Sequence, residues 1–119
     1  MGYLLFVTAF IAVSRVVAGP FGTCRSGPIP ELELAGCGKS LPSGQAVGKV
    51  SYITIRSGGY QRSYNISIPA TYNAVVQTPL ILSYHGGEMN AEDQMNLDEL
   101  TNPNFNNVSI VVYPQGINV

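Results

Sequence analysis

The chain has 119 residues, a formal net charge of −1, 11% charged residues and 45% hydrophobic residues. This balance excludes a disordered polyelectrolyte, and it leaves no basic footprint for nucleic acid and no polybasic patch for a membrane surface. Partners are expected to be neutral or small, and the length allows at most one small domain.

Residues 4–13 (LLFVTAFIAV) form a continuous apolar run of signal-peptide length, and Val16-Val17-Ala18 supplies the small-residue pattern for cleavage after Ala18. A membrane-spanning helix needs about 20 apolar residues, and Arg15 interrupts this run early. Residues 1–18 are therefore expected to be a secretory signal, and the chain an extracellular protein with no membrane attachment once the signal is removed. Two chemical features agree with export. Cys24 and Cys37 lie beyond the cleavage point, where an oxidising compartment could pair them, and Asn65-Ile66-Ser67 and Asn107-Val108-Ser109 are N-glycosylation sequons. Asn65 falls on the polar side of an alternating segment, where a glycan could sit in solvent.

Residues 19–48 are punctuated by Gly, Pro and Ser without any sustained period and read as a coil or tether. Glu31-Leu32-Glu33-Leu34 alternates briefly, bounded by Pro28, Pro30 and Gly36. The pattern changes at Lys49, and residues 49–119 read as a partial α/β domain. Val50-Ser51-Tyr52-Ile53-Thr54-Ile55 is rich in β-branched and aromatic residues, Ser57-Gly58-Gly59 supplies a turn, and residues 60–68 resume with period two. A β-hairpin is predicted. Tyr60, Arg62, Tyr64, Ile66 and Ile68 share one face of its second arm and are expected to be core. Gln61, Ser63, Asn65 and Ser67 share the other, expected to face water.

Residues 80–84 (LILSY) are nearly continuous in apolar character, which predicts a strand covered on both faces. A helix is predicted over residues 91–100, capped by Asn90, with Glu92 and Asp93 in its first turn and Asn102-Pro103 beyond its end. Its apolar stripe would be Ala91, Met95, Leu97 and Leu100. Residues 108–113 (VSIVVY) read as a further buried strand, and Pro114-Gln115-Gly116 as a turn. Strand, helix and strand in this order imply two parallel neighbours, hence an α/β sheet led by an antiparallel hairpin.

The strongest chemical signal is His85-Gly86-Gly87 at the mouth of the 80–84 strand. Glycines there let main-chain N–H groups approach a substrate, as an oxyanion hole requires. His85 is the one histidine in the chain. A local strand-end turn is the simpler alternative for it, and a metal site lacks the further ligands it would need.

Gly36-Cys37-Gly38-Lys39, Leu41-Pro42-Ser43-Gly44, Ser57-Gly58-Gly59, Arg62-Ser63-Tyr64, Ile68-Pro69, residues 79–86 (PLILSYHG) and residues 111–116 (VVYPQG) together resemble the secreted fungal feruloyl esterases. These are related to acetylxylan esterases and polyhydroxybutyrate depolymerase-like esterases of the α/β-hydrolase fold. The resemblance covers roughly residues 36–116, in one order and with similar gaps. It implies the N-terminal, incomplete part of an α/β-hydrolase. It also implies a serine carboxylic-ester hydrolase, without metal or cofactor, that releases hydroxycinnamic acids from feruloylated plant cell-wall polysaccharide such as xylan.

In such an enzyme a histidine-activated serine attacks the ester carbonyl, and main-chain N–H groups hold the oxyanion. His85, Gly86 and Gly87 match the loop that supplies one donor. None of the catalytic triad carries over, because the family's serine elbow, acid and catalytic histidine lie further along than Val119. These 119 residues alone are therefore expected to be inactive. Cys37 is expected from the resemblance to bridge to a distant partner, and pairing with Cys24 is the alternative. A reading of a different class is a small secreted glycoprotein without catalytic function.

Overall fold

The computed structural model describes residues 38–116. The predicted signal segment (residues 1–18), most of the predicted 19–48 coil and both cysteines, Cys24 and Cys37, lie outside the described residues. Four strands and one helix follow in chain order: β1 (Val50–Ser57), β2 (Tyr60–Ser67), β3 (Leu80–Leu82), α1 (Ala91–Asp98) and β4 (Ile110–Pro114). They form one mixed sheet of order β1-β2-β4-β3. β2 is antiparallel to both its neighbours, and β3 runs parallel to β4 at the edge. The α/β class with an antiparallel leader is thus present.

The hairpin follows from its turn. Ser57 pairs with Tyr60, leaving Gly58 and Gly59 as a two-residue connection. Both have positive φ, 59° and 83°. That combination defines the turn whose twist matches the flanking strands, and glycine adopts it without steric cost.

Coverage of the sheet departs from the expectation, and register explains how. Residues directly opposed in an antiparallel ladder lie on one face. Asn65 opposes Tyr113 and Ser67 opposes Val111, and both Tyr113 and Val111 are fully buried against α1. The polar row of β2 therefore lies on the helix-covered face, and Ser67 is buried rather than open to water. Asn65 is half-buried.

The tyrosine and isoleucine row lies on the opposite face, away from α1. Tyr60 is 64% exposed, Tyr64 and Ile66 are half-buried, and only Ile68, just beyond the strand, is buried as core. β3 is corrected likewise. It covers three residues rather than five, although the N–H of Ser83 continues the ladder to the Val112 carbonyl at 2.9 Å. Ile81 packs toward α1, while Leu80 and Leu82 project from the other side at 60% and 52% exposure. It is a strand covered on one face only.

α1 starts where Asn90 caps it and ends earlier than residue 100, because Glu99 adopts a left-handed conformation at φ 53°. Its inward stripe also differs from the apolar pattern. Ala91 is buried, and Met95 and Leu100 pack against Val111 and Tyr113, but Leu97 is 69% exposed. The remaining inner positions belong to Gln94 and Asp98, which bond to the sheet.

Candidate functional site

The loop from Ser83 to Ala91 connects β3 to α1 and carries His85, Gly86 and Gly87. Three sets of hydrogen bonds hold it.

At its near end, Ser83 Oγ donates to Asp98 Oδ2 at 2.6 Å and accepts from Gln94 Nε2 at 3.1 Å. Asp98 Oδ1 in turn accepts from Tyr113 OH at 2.9 Å and from the Leu100 N–H at 3.0 Å. One carboxylate thus ties the exit of β3, the centre of β4 and the end of α1 together. Partial burial alone would raise the Asp98 carboxyl. The bonds from Ser83, the Leu100 N–H and Tyr113, with a smaller contribution from Gln94, outweigh it and hold the carboxyl below its usual range. The same contact works oppositely on the phenol. Burial first, then the bond to Asp98 and its charge, push Tyr113 well above the ordinary tyrosine range.

At its far end, every N–H of the first helical turn is used inside the chain. Asn90 Oδ1 accepts from the N–H groups of Glu92 and Asp93 at 2.8 and 3.0 Å, and Asp93 Oδ2 accepts from the Asn90 N–H at 3.0 Å. This is a capping box. The Ala91 N–H, which a cap of this kind leaves over, donates to Gln115 Oε1 at 3.0 Å. The helix N-terminus is therefore closed to an anion, and any oxyanion donor must come from the loop itself.

In the middle sits His85. Its Nε2 accepts from the N–H of Gly116 at 3.0 Å, and its Nδ1 lies 2.9 Å from the Gly86 carbonyl. A main-chain N–H can only donate, so Nε2 is the bare nitrogen and Nδ1 carries the proton, which it donates to Gly86. With both ring nitrogens hydrogen-bonded, His85 braces the loop.

Gly86 and Gly87 are both exposed. Their N–H groups donate to no acceptor among the described residues. Neither glycine has a left-handed φ, and a Cβ at Gly87 would meet nothing within 4 Å. The turn formed by residues 86–89 closes with a weak Met89 N–H to Gly86 carbonyl bond of 3.4 Å. Its positive-φ position falls on Glu88, at 64°. Glycine is thus absent where the backbone favours it and present where the backbone does not ask for it. Small size beside undonated N–H groups is what distinguishes positions 86 and 87.

The structure brings His85, Gly86 and Gly87 together with Gln115 and Gly116. It places the sequons elsewhere, Asn65 within β2 and Asn107 on the loop before β4. Sequence reasoning missed the roles of Ser83, Asp98, Gln94, Tyr113 and Gln115. Among the described residues, no group of His, Cys, Asp and Glu is arranged to hold a metal.

Compared with protein-family models and with curated proteins, the chain matches none.

Proposed function

We propose that this chain is the N-terminal portion of a secreted serine carboxylic-ester hydrolase of the α/β-hydrolase fold, and that His85-Gly86-Gly87 is its oxyanion loop. The observation that carries this reading is the pair of exposed, undonated N–H groups on Gly86 and Gly87, braced by the contact between His85 and Gly116. Such donors stabilise an oxyanion best when fixed before the charge develops, so that no reorganisation accompanies the reaction. The loop also follows the third strand and precedes the first helix, as the second donor of this fold's oxyanion hole does.

Two further features support the fold assignment. β3 stands at the sheet edge, with its outer side open to the neighbour that the resemblance to feruloyl esterases expects there, the nucleophile strand. The face bearing Leu80, Leu82, Ile66 and Tyr64 is apolar, as a sheet face destined for cover would be. On this reading the serine, acid and catalytic histidine come from sequence beyond residue 119, and feruloylated plant polysaccharide is the expected substrate class. Acetylated xylan and polyhydroxyalkanoate esters are the alternatives.

Reading the transcript past the Val119 codon tests the proposal. It should show a GxSxG elbow followed by an acid and a histidine, and the resulting protein should hydrolyse methyl ferulate. A stop codon directly after Val119 in an intact transcript would overturn it.

A further inference from the structure

The two sequons stand in opposite structural situations. Asn65 occupies the middle of β2, paired with Tyr52 on one side and with Tyr113 on the other. Its side chain shares the face on which α1 fully buries Tyr113, and Ser67, which completes the sequon, is buried there as well. The hairpin that pairs the main chain of Asn65 needs only the Gly58-Gly59 turn. Hairpins close in about 1–10 μs, whereas chains grow at about 5–20 residues per second.

Asn107 lies on the loop between α1 and β4 and is exposed. The fold divides the work between this residue and its neighbour. Asn106 is fully engaged: its Nδ2 donates to the carbonyls of Leu100 and Ser109 at 3.1 and 3.0 Å, and its Oδ1 accepts from the Ser109 N–H at 3.0 Å. Asn107 gives the fold only its main chain, whose carbonyl accepts from Thr71 Oγ1. Its carboxamide makes no hydrogen bond among the described residues. Ser109 becomes buried next to β4, which pairs with β3 some 30 positions earlier in the chain (Ile110 with Leu80). The acceptor sequon therefore stays open until that long-range pairing forms.

We infer that Asn107 is the N-glycan attachment site of this protein and that Asn65, despite its sequon, remains unmodified. In the transfer, Asn107 Nδ2 attacks the anomeric carbon of an oligosaccharide carried on a lipid diphosphate. The N–C bond forms as the C–O bond to the diphosphate breaks, the lipid diphosphate leaves with the electron pair, and one amide proton passes to a base of the transferase. Anchored through Thr71 and Asn106, the loop keeps Asn107 exposed to solvent. A glycan on Asn65 would have to lie beside the α1 contact with Tyr113. The inference depends on export to a glycosylating compartment but not on esterase chemistry.

The test expresses the full 119-residue chain in a eukaryotic secretory host, once with its own N-terminus and once behind a heterologous leader. Total denatured protein is treated with peptide-N-glycosidase, and peptide mass spectrometry reads the conversion of glycosylated Asn to Asp. Conversion is expected at Asn107 and not at Asn65, with Asn107→Gln abolishing the gel shift and Asn65→Gln leaving it unchanged. If only the leader-driven chain is modified, and at Asn107, the export signal fails while the site assignment stands. Conversion at Asn65, or an unmodified Asn107 behind the leader, overturns the inference.

Discussion

His85 Nε2 and the main-chain N–H of Gly116 are joined by a hydrogen bond of 3.0 Å, which ties the loop after β3 to the chain leaving β4. The contact leaves no room for a side chain at residue 116, because a Cβ there would lie 2.9 Å from both Cε1 and Nε2 of the imidazole. Gly116→Ala is therefore expected to displace the ring and cost about 1 kcal/mol for the lost hydrogen bond. Nitrogen-15 NMR of the ring checks the arrangement directly. The wild-type chain should show the Nδ1–H tautomer and the variant a mixture; a wild-type ring protonated at Nε2 would contradict the assignment.

Gly87→Ala separates a structural glycine from one kept small for a ligand. With an ordinary φ and open space around the added methyl, stability should be unchanged or raised by about 0.4–1 kcal/mol. On the proposed esterase reading, kcat of the longer protein should fall by roughly 10- to 100-fold, since the methyl would crowd the N–H groups assigned to the oxyanion. Thermal melting and methyl ferulate hydrolysis, measured on one preparation, give the two readings. A loss of stability without a loss of rate would show the glycine to be structural.

Glu88→Gly addresses the strained position of the same turn. The left-handed conformation costs a non-glycine residue about 1–2 kcal/mol, and glycine returns about 0.5–1 kcal/mol of that as backbone entropy. The expected net gain is up to about 1 kcal/mol by denaturant unfolding. A net loss would mean that the Glu88 side chain contributes something its exposure does not reveal.

The Asp98 carboxyl is lowered in the folded chain, so the folded state binds its proton less readily than the unfolded one. Its contribution to stability is present above the ordinary aspartate range and is lost as pH falls through the lowered folded value. Asp98→Asn should remove that acid-limb slope. At neutral pH it should cost about 1 kcal/mol, the low end for bonds to a charged group because the site is partly solvated. Urea unfolding midpoints followed from neutral to acid pH provide the check, and parallel curves for the two proteins would count against it.

Tyr113 behaves as the mirror case. Its phenol is raised in the folded state, so stability falls as pH climbs above the ordinary tyrosine value of about 10, where the unfolded chain ionises first. In an alkaline absorbance titration the Tyr113 phenol should stay protonated beyond the ordinary tyrosine range for as long as the chain is folded. Tyr113→Phe should weaken the alkaline loss and cost about 1 kcal/mol at neutral pH through the bond to Asp98.

The parts of this architecture that were legible in the sequence are those fixed by neighbouring residues. The Gly58-Gly59 turn set the hairpin and its register, and Asn90 with Asp93 set the start of α1. Features that depend on distant partners were not legible. The end of α1 was obscured because Glu99, rather than a glycine, takes the left-handed position. The inward face of α1 was misread because Gln94 and Asp98 look like surface residues until Ser83 and Tyr113 arrive from β3 and β4. The alternation of β2 correctly separated two faces, but nothing local said which would receive the helix. His85 was recognisable from its glycines, yet its brace came from Gly116, 31 residues away.

Consecutive residues leaving β4 fasten both halves of the β3 to α1 connection, Gln115 at the helix amide of Ala91 and Gly116 at the imidazole of His85. Neither attachment can form before β4 is in register, and a single excursion of that short exit segment releases both. The amides of Ala91 and Gly116 should consequently exchange with deuterium at matching rates, as members of one cooperative opening unit. The positioning of the open Gly86 and Gly87 N–H groups is then only as durable as the docking of β4.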